Sequence, residues 1–242
     1  MSEYQYYEFQ AVDRPLDQAA QRALRSISSR ARITPTSFVN HYEWGDFKGD
    51  PRKFMERWFD LHLYFANWGA RRLMIGLPKR FLDRTELTPF LREIEWVKVW
   101  TSVDRLIIDI FRQEDEPEDY GYYEEDDSEQ LATFAPLRAD LLIGDLRLFY
   151  LLWLIAVREE LVPADEVEPL PGIGSLTAAL EAFATFFLAL MAISRKLPPK
   201  AAPKRDQRRE RRCASGWRRY PNATRRSFCC VSPKATPMSP RS

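Results

Sequence analysis

The residues best suited by type and spacing to do chemistry are two histidines and the carboxylates around them. His41 and Glu43 lie two apart in a segment that reads as a strand, so their side chains share a face. Asp46 and Asp50 follow after Gly45, and Asp60 and His62 repeat the same two-residue spacing one helix later. If the strands carrying them are neighbours, His41, His62 and a carboxylate converge. Two imidazoles and a carboxylate suit a divalent transition metal or general-base chemistry. The chain has only these two histidines and no HExxH-type spacing, so two hydrogen-bonded sheet histidines are the simpler expectation. No metal and no cofactor is expected. His41, Glu43 and His62 are the candidate catalytic residues.

Arg71 and Arg72 are the candidate ligand-binding residues. A guanidinium there can clamp a carboxylate or phosphate. Successive strand residues face opposite ways, so at most one of the pair serves a given site. Other signatures are weak or missing. Gly172-Ile173-Gly174-Ser175 precedes a helix but has no preceding strand, no third glycine and no lysine of a phosphate loop. There is no GxSxG motif.

All three cysteines (Cys213, Cys229 and Cys230) lie near the C-terminus. The rest of the chain therefore offers no disulfide, thiolate metal site or thiol nucleophile, which fits a reducing, cytoplasmic setting. The opening MSEYQYYEFQ has neither a basic start nor an apolar run, so no secretory signal is expected. The overall charge of +1 hides a split. Residues 195–242 hold 15 Lys/Arg against Asp206 and Glu210, a net +13, which leaves −12 on residues 1–194.

The elements that must position the candidate residues centre on Leu61–Arg112. Leu61–Ala66 and Arg71–Leu77 flank the turn Asn67–Ala70, and Glu95–Thr101 and Arg105–Phe111 flank Ser102–Asp104. Both units read as β-hairpins. Before them come a strand at Tyr4–Val12, a helix capped by Asp17, a strand at Ser37–Phe47 interrupted by Gly45, and a helix opened by Asp50-Pro51. Pro78–Arg92 is expected to hold short helices at KRFLD and after Thr88. Helices are also expected at Ser128–Phe134, Pro136–Ile143, Leu146–Leu161 (capped by Asp145) and Leu176 to about Leu188 (capped by Ser175), with Val162–Gly174 a loop. The two longest apolar runs read as buried core helices rather than membrane spans.

Nine of the fourteen residues in Glu114–Asp127 are acidic, so a solvated, extended loop is expected there. The basic segment 189–242 has no periodicity and reads as a disordered arm. Alternatively it is out of frame: a two-base shift can turn Ala189–Lys200 and Gly216–Arg241 into acidic, amphipathic helix formers.

The segments YQYYEFQAVDRPL, TSFVNHYEWGDFKGDP, LHLYFANWGARRLMIGLP and PLRADLLIGDLRLFYLLWL together resemble a family of uncharacterised bacterial proteins, over roughly residues 3–187. The resemblance implies a bacterial, cytoplasmic protein whose relatives have a conventional in-frame C-terminus. It implies no activity and no site residues.

The expected fold class is α+β: a mostly antiparallel sheet of about six strands covered by helices (residues 1–113), the acidic loop (114–127), a helical subdomain packed on the sheet (128–188) and the basic tail (189–242). The leading functional expectation is a protein-interaction or scaffold role with another protein as partner. The alternatives are a small-ligand binder or enzyme using the His/Glu/Arg cluster, and nucleic-acid binding through the tail, since the body's −12 charge repels phosphates. No membrane partner is expected.

Overall fold

The computed structural model describes residues 4–92, 94–113, 130–163 and 165–188. The acidic segment 114–127 and the basic segment 189–242 lie outside the described residues, as do the expectations placed on them.

A seven-stranded antiparallel sheet forms the middle layer, in the order β2-β3-β1-β4-β5-β7-β6. Its strands are β1 (Gln5–Gln10), β2 (Arg32–Ile33), β3 (Ser37–Tyr42), β4 (Leu61–Ala66), β5 (Ala70–Pro78), β6 (Val97–Ser102) and β7 (Arg105–Gln113). The α+β reading holds, with two-residue β2 as the addition. Both hairpins form: β4 pairs with β5 around Gly69 (φ +84°), and β6 pairs with β7 around Val103-Asp104. β1 slots between β3 and β4, which places two strands distant in sequence on either side of it.

The helices are α1 (Gln18–Ile27), α2 (Pro51–Arg57), α3 (Arg84–Leu91), α4 (Ala135–Leu142), α5 (Arg147–Arg158) and α6 (Ala178–Leu188). The Asp17 carboxylate accepts from the Ala20 N–H at 2.7 Å, and that of Asp50 accepts from the Arg52 N–H at 3.0 Å. Each such cap is worth about 1 kcal/mol. The structure differs from the expected helices at three places. Residues 79–81 form a turn where a helix is expected at KRFLD, and α3 begins at Arg84 with an Asp83/Glu86 capping box. Residues Gln130–Thr133 form a 3-10 helix. Thr177, rather than Ser175, accepts from the first turn of α6.

Alternation along the strands gives the sheet two apolar faces. One is covered by α1 and α2 and packs Phe9, Phe38, Met74 and Ile107 against Leu24, Phe54, Met55 and Phe59. The opposite face packs Leu63, Leu73, Ile75 and Ile108 against α3–α6, in one core continuous with Leu141, Phe149, Leu152 and Phe183. Buried polar side chains stitch this second interface. Glu8 accepts from the Tyr6 hydroxyl and the Leu131 N–H, both at 2.9 Å. Arg138 donates to the Gly76 carbonyl at 2.8 Å and to Asp13 at 2.6 Å. Nearly the whole circumference of α5 is buried, as a helix lodged between α3 and α6 requires. Among the described residues no helix is long and apolar enough to cross a membrane.

Candidate functional site

The sheet keeps the two histidines apart. His41 pairs with Tyr6, and His62 with Phe9. Tyr6 and Phe9 are an odd number of residues apart, so the histidines sit on opposite faces, with β1 between their strands. His41 is exposed and stacks on Tyr4, and Glu43 lies exposed in the loop after β3. The convergence expected of His41, Glu43 and His62 is therefore not formed. Among the described residues no cluster of three His, Cys, Asp or Glu side chains is arranged to hold a metal.

Arg71 and Arg72 divide as expected of neighbours in a strand. Arg71 is buried under α6 and donates to the Phe186 carbonyl at 2.8 Å. Arg72 points to the α1/α2 face and donates through Nε and Nη2 to both oxygens of Asp109, at 2.7 and 2.6 Å. The carboxylate that Arg72 clamps is thus the protein's own. Burial of Arg72 opposes its charge, but the hydrogen bonds and charge of Asp109 outweigh that and raise its pKa.

What the structure does bring together is His62 and Arg72. On the α1/α2 face, cross-strand pairing lines up Asn40, Tyr7, Tyr64, Arg72 and Phe111 in one row. A cavity of about 270 Å³ lies over its centre, bounded by Tyr7, His62, Tyr64 and Arg72 on the sheet and by Phe47, Gly49 and Pro51 above. The loop that makes this upper wall is pinned in two steps. The Tyr7 hydroxyl donates to the Gln5 side chain at 2.9 Å, and Gln5 donates onward to the Gly45 carbonyl at 3.2 Å. Gly45 takes φ +83°, a backbone setting that costs glycine little. A Cβ on Gly49 would collide with the Phe47 ring, so glycine is what lets Phe47 close against Tyr7.

His62 is the chemically distinctive member. It has no solvent exposure and lies parallel to the Phe9 ring, 3.9 Å between centroids. Its Nδ1 is 3.0 Å from the Glu8 carbonyl oxygen. A carbonyl can only accept, so the proton is on Nδ1 and Nε2 carries a lone pair. That Nε2 is buried without a hydrogen-bond partner among the described residues. Burial, and secondarily the Arg72 charge, lower the His62 pKa to about 3. Burial is also the main reason that the Tyr7 and Tyr64 phenols are raised above their usual range. All three groups are pushed away from neutral pH, each towards its uncharged form.

Comparison of the chain with protein-family models, curated proteins and solved structures finds no match.

The arrangement holds three groups displaced from neutral pH, whereas general acids and bases work best with pKa values near the operating pH. It offers one unmet acceptor (His62 Nε2), two neutral phenols, a guanidinium whose charge is already balanced, and aromatic rings to stack on. Tyr64 was open to detection from sequence, because it stands two residues after His62 on the same strand face. Tyr7, Phe47 and Gly49 were not, because they arrive through strand order and a loop fold.

Proposed function

We propose that the protein binds a small, uncharged, planar ligand in the cavity over Tyr7, His62, Tyr64 and Arg72. The supporting observation is that His62, whose buried Nε2 has no hydrogen-bond partner among the described residues, is one of the residues lining the cavity. Leaving such an acceptor unpaired costs about 1–3 kcal/mol, which a ligand N–H or O–H recovers on binding. The volume of about 270 Å³ falls just below the usual range for ligand sites, roughly 300–1,000 Å³, and suits a single-ring molecule. The internal Arg72–Asp109 pair removes the need for an anionic ligand. The small-ligand role expected from the sequence thus gains support for binding, with His62 and Arg72 retained and His41 and Glu43 left out. The cysteine-free body and the resemblance noted above support a bacterial, cytoplasmic setting.

The test is a ligand-observed NMR screen of single-ring amides, phenols and amino-heterocycles. Ring compounds carrying a hydrogen-bond donor are expected to bind the protein. His62→Phe keeps the stack on Phe9 and removes the acceptor, so their affinity is expected to fall tenfold or more, about the value of one buried hydrogen bond. Binding that His62→Phe leaves intact, or no binding by any donor-bearing ring, would refute the reading.

A further inference from the structure

The sheet ends at β6, whose outer edge pairs with no strand among the described residues. The Phe111 N–H donates to the Trp96 carbonyl at 3.0 Å, and these two residues continue the β6–β7 register. They form a hydrogen-bonded pair, and such pairs alternate along an antiparallel ladder. Lys98, Trp100 and Ser102 therefore turn their backbone groups inward to β7, while Val97, Val99 and Thr101 direct theirs to the open edge. The side chains of Val97 and Val99 point to the face where α3 lies. Together with Leu87, Thr88 and Leu91 of α3 they line a groove of about 190 Å³. Arg84 and Arg92 complete the lining, to which no acidic side chain among the described residues contributes; Arg92 lies 3.6 Å from Glu166 in a solvent-exposed ion pair that a partner's carboxylate would replace. These arginines stand at opposite ends of α3, about 12 Å apart along its axis, which is the reach of about four strand residues.

We infer that this groove takes an extended segment of a partner protein as an eighth strand, with apolar side chains at alternate positions and carboxylates at its ends. A strand hydrogen-bonded to Val97, Val99 and Thr101 places the side chains of its paired residues on their face, into the apolar floor against α3. Its backbone satisfies three residues' worth of open N–H and C=O groups, which supplies affinity, while the floor supplies selectivity. The arginines meet the terminal carboxylates in charge-assisted contacts. Exposed Arg84 and half-exposed Val99 keep the groove reachable. The site is on the sheet face opposite the ligand cavity and does not depend on it.

The experiment is selection of displayed random octapeptides on the full-length protein, followed by affinity measurement with the enriched sequences. The expected outcome is enrichment of peptides that alternate apolar residues between acidic ends. Val99→Pro removes an outward N–H at an edge position where proline is tolerated, and should weaken binding at least tenfold. Arg84→Glu/Arg92→Glu, on exposed side chains, should weaken it about fivefold or more. His62→Phe should leave it unchanged. No enrichment, or enriched peptides that bind Val99→Pro equally well, would overturn the proposal. So would a dimer of the protein that Val99→Pro disperses, because a second copy would then own the edge.

Discussion

Asp60→Ala is expected to destabilise the protein by about 3–5 kcal/mol in urea unfolding. Asp60 is 1 % exposed and sits at the joint between α2 and β4. Its Oδ2 accepts from the Val12 and Asp13 N–H groups at 2.6 and 2.9 Å, and its Oδ1 accepts from Arg105. Arg105 also donates to the Met55 and Phe59 carbonyls at 2.9 and 2.8 Å, which ties α2 to the sheet. Truncation strands two backbone donors and leaves a largely buried guanidinium without its counter-charge. Breaking a buried ion pair from one side costs about 3–5 kcal/mol for that reason. Against a total stability of about 5–15 kcal/mol, this is enough to leave the variant marginal. A loss below about 1 kcal/mol would show that the network carries little of the fold.

The second large effect is a pH dependence set by His62. In the folded protein its pKa is about 3, and in an unfolded chain it is about 6.5. The folded state therefore resists a proton that the unfolded state accepts. The His62 contribution to stability is present above pH 6.5 and drains away as pH falls towards 3. Over the full window the loss is about 4–5 kcal/mol, of which about 2 kcal/mol falls between pH 7 and pH 5. In His62→Phe that part of the slope should vanish. Denaturant unfolding of both proteins at pH 7 and pH 5 measures it, because the window largely avoids carboxylate titration. Parallel losses in the two proteins would contradict a neutral, buried His62.

Much of the fold was legible because its signals are local. Asp17 and Asp50 announce α1 and α2 by capping, and the two hairpins announce themselves by strand composition and turn residues. Where local signals conflict, the fold departs from the sequence pattern. Pro89 lies inside α3, and it hid a helix whose true start is the Asp83–Glu86 box five residues earlier. Gly45 does not interrupt a strand but opens the loop that roofs the cavity. Two-residue β2 is too short to carry a pattern.

The site was only half legible, and the missing half is non-local. Spacing shows that His62 and Tyr64 share a face, and that Arg71 and Arg72 do not. It cannot show that β1 enters between β3 and β4. That one fact separates His41 from His62 and brings Tyr7 beside Tyr64. Nor does spacing reveal that the partner of Arg72 is Asp109, 37 residues away.

The most direct test is the tautomer and titration of His62, read from ¹H–¹⁵N correlations of the imidazole ring from pH 8 to pH 4.5. The expected spectrum shows a neutral ring throughout, with the proton on Nδ1 and an unprotonated Nε2 whose resonance moves when a donor-bearing ring compound is added. A proton on Nε2, or a ring that charges near pH 6.5, would contradict the buried acceptor on which the binding site is built.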